Sequence, residues 1–280
     1  MRKKIVAFQG EAGAYSEAAA YAHFGTEIRT LPCKSFEKLF DAVSEGKATH
    51  GMAPIENSLA GSIHRNYDLL LRNELQITGE YHLRVSHCLM ALPNVRLEEV
   101  ERVYSHPQAL AQCERSLRKL NLPGIAAADT AGSARTLKEE NDQSSAALAS
   151  LLAAKVYGLN ILQEDMEDNL ENYTRFLALS LQEIEKDNRD DLSYKTSIVF
   201  SLKSKPGSLF NALSIFALRE IDLTKIESRP HAGKPWEYLF YIDFIGHTER
   251  KPTVAALNHL REIAPFIRVF GSYPRDKRER

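Results

Sequence analysis

Five short polar runs carry the side chains of this chain that could do chemistry. They are Gly10–Ser16, Glu56-Asn57-Ser58, Ser105-His106-Pro107-Gln108, Asp129–Ser133 and Asn172-Tyr173-Thr174-Arg175-Phe176. Each lies at or beside a junction where an expected strand ends and an expected helix begins. The last separates an acidic run, Gln163–Glu171, from an apolar strand-like run, Phe176–Leu181. Asn57 offers a donor and an acceptor, Ser58 a rotatable hydroxyl, and His106 a general-base reading. Open α/β sheets bind ligands at the carboxyl ends of their strands. Unpaired N–H groups at helix starts after Gly10 and Ser105 would favour an anion. Each run also has a local reading, with Ser16, Asn57, Ser58, Ser105 or His106 as a helix cap and Gln108 in a first turn. The glycines follow neither Gly-x-Gly-x-x-Gly nor a Walker pattern, and there is no Gly-x-Ser-x-Gly elbow or His-Glu-x-x-His. The remaining histidines, His87 among them, show no ligand spacing. The expectation is a cleft of uncharged donors with few cations, no metal, no cofactor and no nucleophilic triad. Such a cleft suits a small carboxylate held by hydrogen bonds.

The elements that must position these runs are legible as patterns. Expected strands are Lys4–Phe8, Ala48–Ile55, Val103–Ser105 and Gly124–Ala128. Between them, Ile63, Tyr67, Leu70 and Leu71 share one helical face, as do Leu110, Cys113, Leu117 and Leu120. Pro107 suits the first position of a helix, where its missing N–H costs nothing. This alternation predicts α/β with mainly parallel sheets. A charged stretch, Glu183–Asp191, then precedes a different order. Thr196–Leu202, a helix opened by Lys205-Pro206-Gly207-Ser208 with Leu209, Leu213 and Phe216 inward, Leu223–Ser228, Trp236–Phe244, Thr253–Arg261 and Phe266–Phe270 read as βαββαβ. That is the ferredoxin-like plan.

A chain of 280 residues suits two domains. A net charge of −1 gives no field that would draw it to nucleic acid or an anionic membrane. Residues 1–4, followed only by Ile5–Phe8, read as a charged start to a buried strand rather than a secretion signal. Cys33, Cys88 and Cys113 are far apart without metal spacing and read as packing residues in a reduced, cytoplasmic setting.

Taken in order, the motifs make the chain resemble the prephenate dehydratases that carry a C-terminal ACT domain. They are Gly10…Gly13-Ala14-Tyr15-Ser16, Pro54-Ile55-Glu56-Asn57-Ser58…Gly61, Ser105-His106-Pro107-Gln108-Ala109-Leu110, Asp129–Ala134, Tyr157-Gly158-Leu159, Asn172…Thr174-Arg175-Phe176 and Glu227-Ser228-Arg229-Pro230. The resemblance implies a catalytic domain over 1–182, similar to bilobed periplasmic-binding folds, with a first lobe of about 1–79 and 160–181 and a second of about 80–157. It implies a linker at 183–195, an ACT domain at 196–272 and a basic tail at 273–280. A fused chorismate mutase domain is not expected.

The implied reaction converts prephenate to phenylpyruvate with loss of carbon dioxide and water. Aromatisation drives it, so no electron-sink cofactor is needed. By resemblance Thr174 donates to the departing hydroxyl, with Asn57, Ser58 and Gln108 as its network. Glu56 is either a proton source or the partner that orients Asn57. Tyr15, Ser16, Ser105, His106, Ser133, Arg175 and Phe176 are the expected substrate contacts. Glu11 stands where relatives commonly carry proline, and its charge sits near the proposed anion site. The implied effector is L-phenylalanine, bound at Gly207, Ser208, Leu209, Phe210 and Asn211 and at Glu227, Ser228, Arg229 and Pro230, in a homodimer or homotetramer. The alternatives are an arogenate dehydratase and a non-catalytic amino-acid sensor.

Overall fold

The computed structural model describes residues 3–184, 187, 190, 193–231, 233, 234 and 236–276. Most of the expected linker core at 185–192 and the tail beyond Asp276 lie outside the described residues. The first strands and helices run β1 (Ile5–Gln9), α1 (Tyr15–Phe24), β2 (Arg29–Cys33), α2 (Phe36–Ser44), β3 (His50–Asn57), β4 (Gly61–Ser62), α3 (His64–Arg72) and β5 (Gln76–Arg84). Next come β6 (Cys88–Ala91), β7 (Arg102–Ser105), α4 (Pro107–Gln112), α5 (Glu114–Lys119), β8 (Gly124–Ala126), α6 (Thr130–Glu140), β9 (Ser145–Ala149), α7 (Leu151–Tyr157), β10 (Asn160–Gln163) and β11 (Tyr173–Ser180). The chain closes with β12 (Tyr194–Ser201), α8 (Ser208–Ala217), β13 (Leu223–Pro230), β14 (Tyr238–Ile245), α9 (Lys251–Ile263) and β15 (Phe266–Pro274).

Two compact units result, one formed by residues up to Leu69 with Tyr81–Phe176, the other by Leu70–Glu80 with the chain from Leu177 onward. The strands up to β11 form two sheets in an α/β arrangement, ordered β2-β1-β3-β11-β5, with β4 beside β3, and β10-β6-β9-β7-β8. Pairing is mixed rather than mainly parallel. β1 is parallel to β2 and β3, and β7 to β8 and β9, but β6 is antiparallel to β9 and β10. The return to the first sheet also comes later than residue 160. β10 pairs with the edge of β6, and its Ile161 and Leu162 pack on the second core. The expected helix over 107–120 is two short ones, because Cys113 leaves the helical region at φ −115 and ψ 14. Its Sγ is fully buried, and burial raises the thiol pKa of Cys113 well above its ordinary range and that of Cys88 to about 11. All three cysteines are buried packing residues.

The C-terminal unit has the expected βαββαβ order in a sheet β13-β14-β12-β15. Ile198 on β12 faces Ile242 on β14 and Val269 on β15. The core helix face is Ala212, Ile215 and Phe216 rather than Leu209 and Leu213. Leu209 is 36% exposed and Phe210 74%. β15 runs to Pro274, four residues past its expected end, because Tyr273 and Pro274 continue the pairing with β12. Residues 70–80 join this unit through buried polar contacts. Lys195 Nζ meets Glu80 Oε2 at 3.0 Å with both side chains fully buried. Arg268 donates to the carbonyls of Leu71 at 3.0 Å and Asn73 at 2.7 Å. Gly271 (φ +147) passes so close to Ile77 that a Cβ would stand 2.4 Å from its carbonyl oxygen.

Candidate active site

A cavity of about 330 Å³ in the N-terminal unit gathers residues from all five polar runs. That is the lower end of the range of small-molecule sites. Tyr15 and Ser16 from the start of α1, Asn57 from the end of β3, His106 and Gln108 from α4, Asp129 and Thr130 from α6, and Thr174 and Phe176 from β11 line it. His87 and Gln112 join them. No lysine or arginine is among the described lining residues.

Asn57 organises one wall. Its Oδ1 accepts from the backbone N–H groups of Leu59 at 3.0 Å and Ala60 at 2.9 Å. Those two donors fix which way the amide points. Its Nδ2 therefore donates, to Asn172 Oδ1 at 2.7 Å, the Tyr173 carbonyl at 3.1 Å and Thr174 Oγ1 at 3.0 Å. Thr174 is 9% exposed, and with Asn57 as donor its own hydroxyl hydrogen is directed elsewhere.

Other expected residues stand apart from the cavity. Ser58 Oγ donates to the Glu171 carbonyl and accepts from the Tyr173 N–H, both at 2.9 Å, so it ties β3 to the approach of β11. Ser105 is fully buried and donates to the Leu148 carbonyl at 2.7 Å. Ser133 donates to the Asp129 carbonyl at 2.8 Å and faces a separate cavity. Arg175 is buried, and its guanidinium lies 3.3 Å from Glu56 Oε1.

The helix starts are also occupied. Glu17 Oε2 accepts from the Gly13 N–H at 2.6 Å, so α1 fills its own anion position. Asp129 Oδ1 caps α6 through the Gly132 N–H at 2.6 Å, and His106 Nδ1 caps α4 through the Gln108 N–H at 3.2 Å. Glu11 pairs with Arg135, which absorbs the charge expected to disturb this loop. Gly13 lies against α7, where a Cβ would come within 2.6 Å of Ala153 Cα.

His87 and Gln112 escaped sequence reasoning. His87 immediately precedes the buried strand β6, and that placement of a titratable side chain was the only local signal. Its Nδ1 lies 2.7 Å from the Tyr15 hydroxyl and its Nε2 3.0 Å from Gln112 Oε1. Burial holds the imidazole pKa below its ordinary value.

In the C-terminal unit, Gly207 takes the left-handed conformation (φ +78) that opens α8. Ser208 and Leu209, with Lys203, Lys205, Trp236 and Tyr238, line a cavity of about 260 Å³. Glu227, Ser228, Arg229 and Pro230 lie along β13, at an edge of the sheet.

A two-sheet α/β unit with a hydrogen-bonding cavity, joined to a βαββαβ unit, defines an enzyme with a small sensor-type domain. The chain belongs to the prephenate dehydratase family, whose model matches residues 6–184, and an ACT domain model matches 196–262. It is 50% identical over 97% of its length to an Arabidopsis thaliana arogenate dehydratase/prephenate dehydratase, covering 73% of that protein. A solved prephenate dehydratase from Arthrobacter aurescens in complex with L-Phe is 32% identical, with a TM-score of 0.88 over 97% of this chain and 90% of that one. A protein described as a novel type of quorum-quenching acylase is 34% identical, with a TM-score of 0.92 over 99% and 100%. The Arabidopsis relative is named chloroplastic, and this overturns the expected cytoplasmic location.

Proposed function

We propose that this chain is a lyase that converts prephenate to phenylpyruvate, losing carbon dioxide and water, with its reaction centre at the Asn57–Thr174 pair. The observation that carries the reading is the one-way hydrogen bond from Asn57 Nδ2 to Thr174 Oγ1 at 3.0 Å. It leaves the threonine hydrogen for the departing ring hydroxyl. A donor preorganised in this way is worth about 2.7–4 kcal/mol of transition-state stabilisation. Thr174 is too weak an acid to protonate anything alone, so it acts by holding the leaving oxygen. Gln108 and Ser16 supply further polar contacts, and Phe176 offers the ring an apolar wall. Ser58, Ser105 and Ser133 act through the backbone they brace. Glu56 and Arg175 act on each other and on the end of β3.

A second reading, arogenate as substrate, is favoured by the name of the Arabidopsis relative, which carries both activities. The reacting ring is the same in the two substrates, and relative turnover discriminates them. Acyl transfer by a nucleophile–histidine pair would need a free imidazole beside a nucleophile. Here His87 is engaged with Tyr15 and Gln112, and His106 caps a helix.

The C-terminal unit is read as the L-phenylalanine sensor, with the effector at the α8 start and along β13. Phe210, Leu218, Ile226 and Trp236 are exposed on this unit. That apolar surface, with the β13 edge, suits pairing with a second copy in a homodimer or homotetramer. Phenylpyruvate formation from prephenate by wild type and Thr174→Ala tests the catalytic reading. Sedimentation with and without L-phenylalanine tests the assembly.

A further inference from the structure

The dehydration consumes a proton, and neither Asn57 nor Thr174 can release one at neutral pH. Four titratable side chains line the cavity among the described residues: Tyr15, His87, His106 and Asp129. The last two cap helices. Tyr15 and His87 form a chain of their own. The Tyr15 hydroxyl is 2.8 Å from the Ser86 carbonyl and 2.7 Å from His87 Nδ1, and His87 Nε2 is 3.0 Å from Gln112 Oε1. The Ser86 carbonyl and Gln112 Oε1 only accept. The phenol has one hydrogen for two neighbours. Every contact therefore has its donor when both ring nitrogens carry hydrogen. With the Gln112 amide turned over, the same contacts suit a neutral ring. Ring and amide thus have two satisfied states that differ by one proton.

The charged and titratable groups facing this ring are few. Tyr15 comes from α1. Glu167 accepts from the His87 N–H at 2.8 Å and is itself held by Arg84 at 2.7 Å. Arg84 also binds Asp165, and the thiols of Cys88 and Cys113 are near. Burial holds the Tyr15 phenol well above its ordinary pKa, so it relays a proton without ionising. Burial lowers the His87 pKa, and a dianion entering beside the ring favours its charged form.

On the proposed dehydratase reading, we propose that His87 takes up a proton as the dianionic substrate enters and passes it through Tyr15 to the departing hydroxyl. In the step, the Tyr15 hydrogen turns from the Ser86 carbonyl and moves to the leaving oxygen while Nδ1–H moves to the Tyr15 oxygen. The ring carbon–oxygen bond breaks and water departs. The electrons of the carbon–carboxylate bond enter the ring, carbon dioxide leaves, and His87 is left neutral until solvent recharges it. Charge balances: a dianion and an imidazolium become a monoanion and a neutral imidazole. His87 is a positioning and proton-holding residue, because it acts through Tyr15.

The test pairs proton uptake with a pH profile. Prephenate is bound to Thr174→Ala, where turnover is slow, in two buffers of different ionisation enthalpy. Calorimetry should read uptake of about one proton per site near neutral pH, lost in Thr174→Ala/His87→Asn. In the otherwise wild-type protein, His87→Asn and Tyr15→Phe should each lower kcat at least about 100-fold. His87→Asn should also lose the fall in kcat seen as pH rises. Unchanged uptake in the His87 variant, or an unchanged alkaline limb, overturns the proposal. Should His87→Asn fail to fold, Gln112→Leu serves: the limb must move to lower pH, and an unmoved limb overturns the proposal equally. Wild type that binds prephenate with proton uptake but never turns it over would sink the dehydratase reading instead.

Discussion

Replacing Asn57 by aspartate changes one donor into an acceptor without changing shape. One carboxylate oxygen would still accept from the Leu59 and Ala60 N–H groups. The other would face Asn172 Oδ1 at 2.7 Å, the Tyr173 carbonyl at 3.1 Å and Thr174 Oγ1 at 3.0 Å. Two of those contacts become acceptor against acceptor, which costs stability at about 1–3 kcal/mol per unsatisfied buried group. The third is repaired when the threonine hydrogen turns to the new carboxylate and away from the cavity. The substitution thus removes the same donor that Thr174→Val removes. Each single variant should lose about 2.7–4 kcal/mol of transition-state stabilisation, a roughly 100- to 1000-fold fall in kcat. If Asn57 acts through Thr174, the Asn57→Asp/Thr174→Val double should stay within about tenfold of the worse single. The assay is phenylpyruvate formation from prephenate at saturation, at a temperature where circular dichroism shows all variants folded. Losses that add, to about 5–8 kcal/mol in the double, would refute the coupling.

The remaining predictions concern stability and regulation. Lys195→Met removes the buried cation that Glu80 meets at 3.0 Å and should lower unfolding stability by about 3–5 kcal/mol, while Lys195→Met/Glu80→Leu should recover most of it; denaturant titration decides. His50 is half-buried, with a pKa lowered to about 4 by burial and then by Lys4 and His23. The unfolded chain therefore binds the extra proton first, and stability, full above about pH 6.5, falls as pH drops towards 4. The ceiling is about 3 kcal/mol, reduced to about 1–2 by solvent screening, and His50→Gln should flatten that part of the pH–stability curve. Phe210→Ala should leave stability within about 0.5 kcal/mol, because the ring is mostly exposed, but should weaken inhibition by L-phenylalanine. A melting temperature that drops along with the inhibition would refute a role confined to the effector.

Much of the fold is legible because it follows local period and turn chemistry. Pro107 at the start of α4 and Gly207 before α8 mark helix starts that the structure keeps. The βαββαβ order needs only alternating strands and helical faces. What local pattern misses is long-range. Asn57 reaches Thr174 across 117 positions, and His87 meets Tyr15 across 72. Nothing near either residue announces its partner. The same holds for Lys195, a charged residue on a strand whose fully buried side chain meets Glu80 across 115 positions. Leu209 misleads in the opposite sense, since an apolar residue at helical spacing reads as core and here is 36% exposed. The helix-start anion sites fail for a related reason. Glu17 and His106 are ordinary residues in sequence, and each occupies an N–H at a helix start where an anion was expected.

Turnover of prephenate by the purified, EDTA-treated chain, with and without millimolar L-phenylalanine, tests the central claim most directly. The account predicts phenylpyruvate formation that survives chelation, falls when L-phenylalanine is added, and collapses in Thr174→Ala. Absence of turnover on both prephenate and arogenate by the folded protein would contradict it.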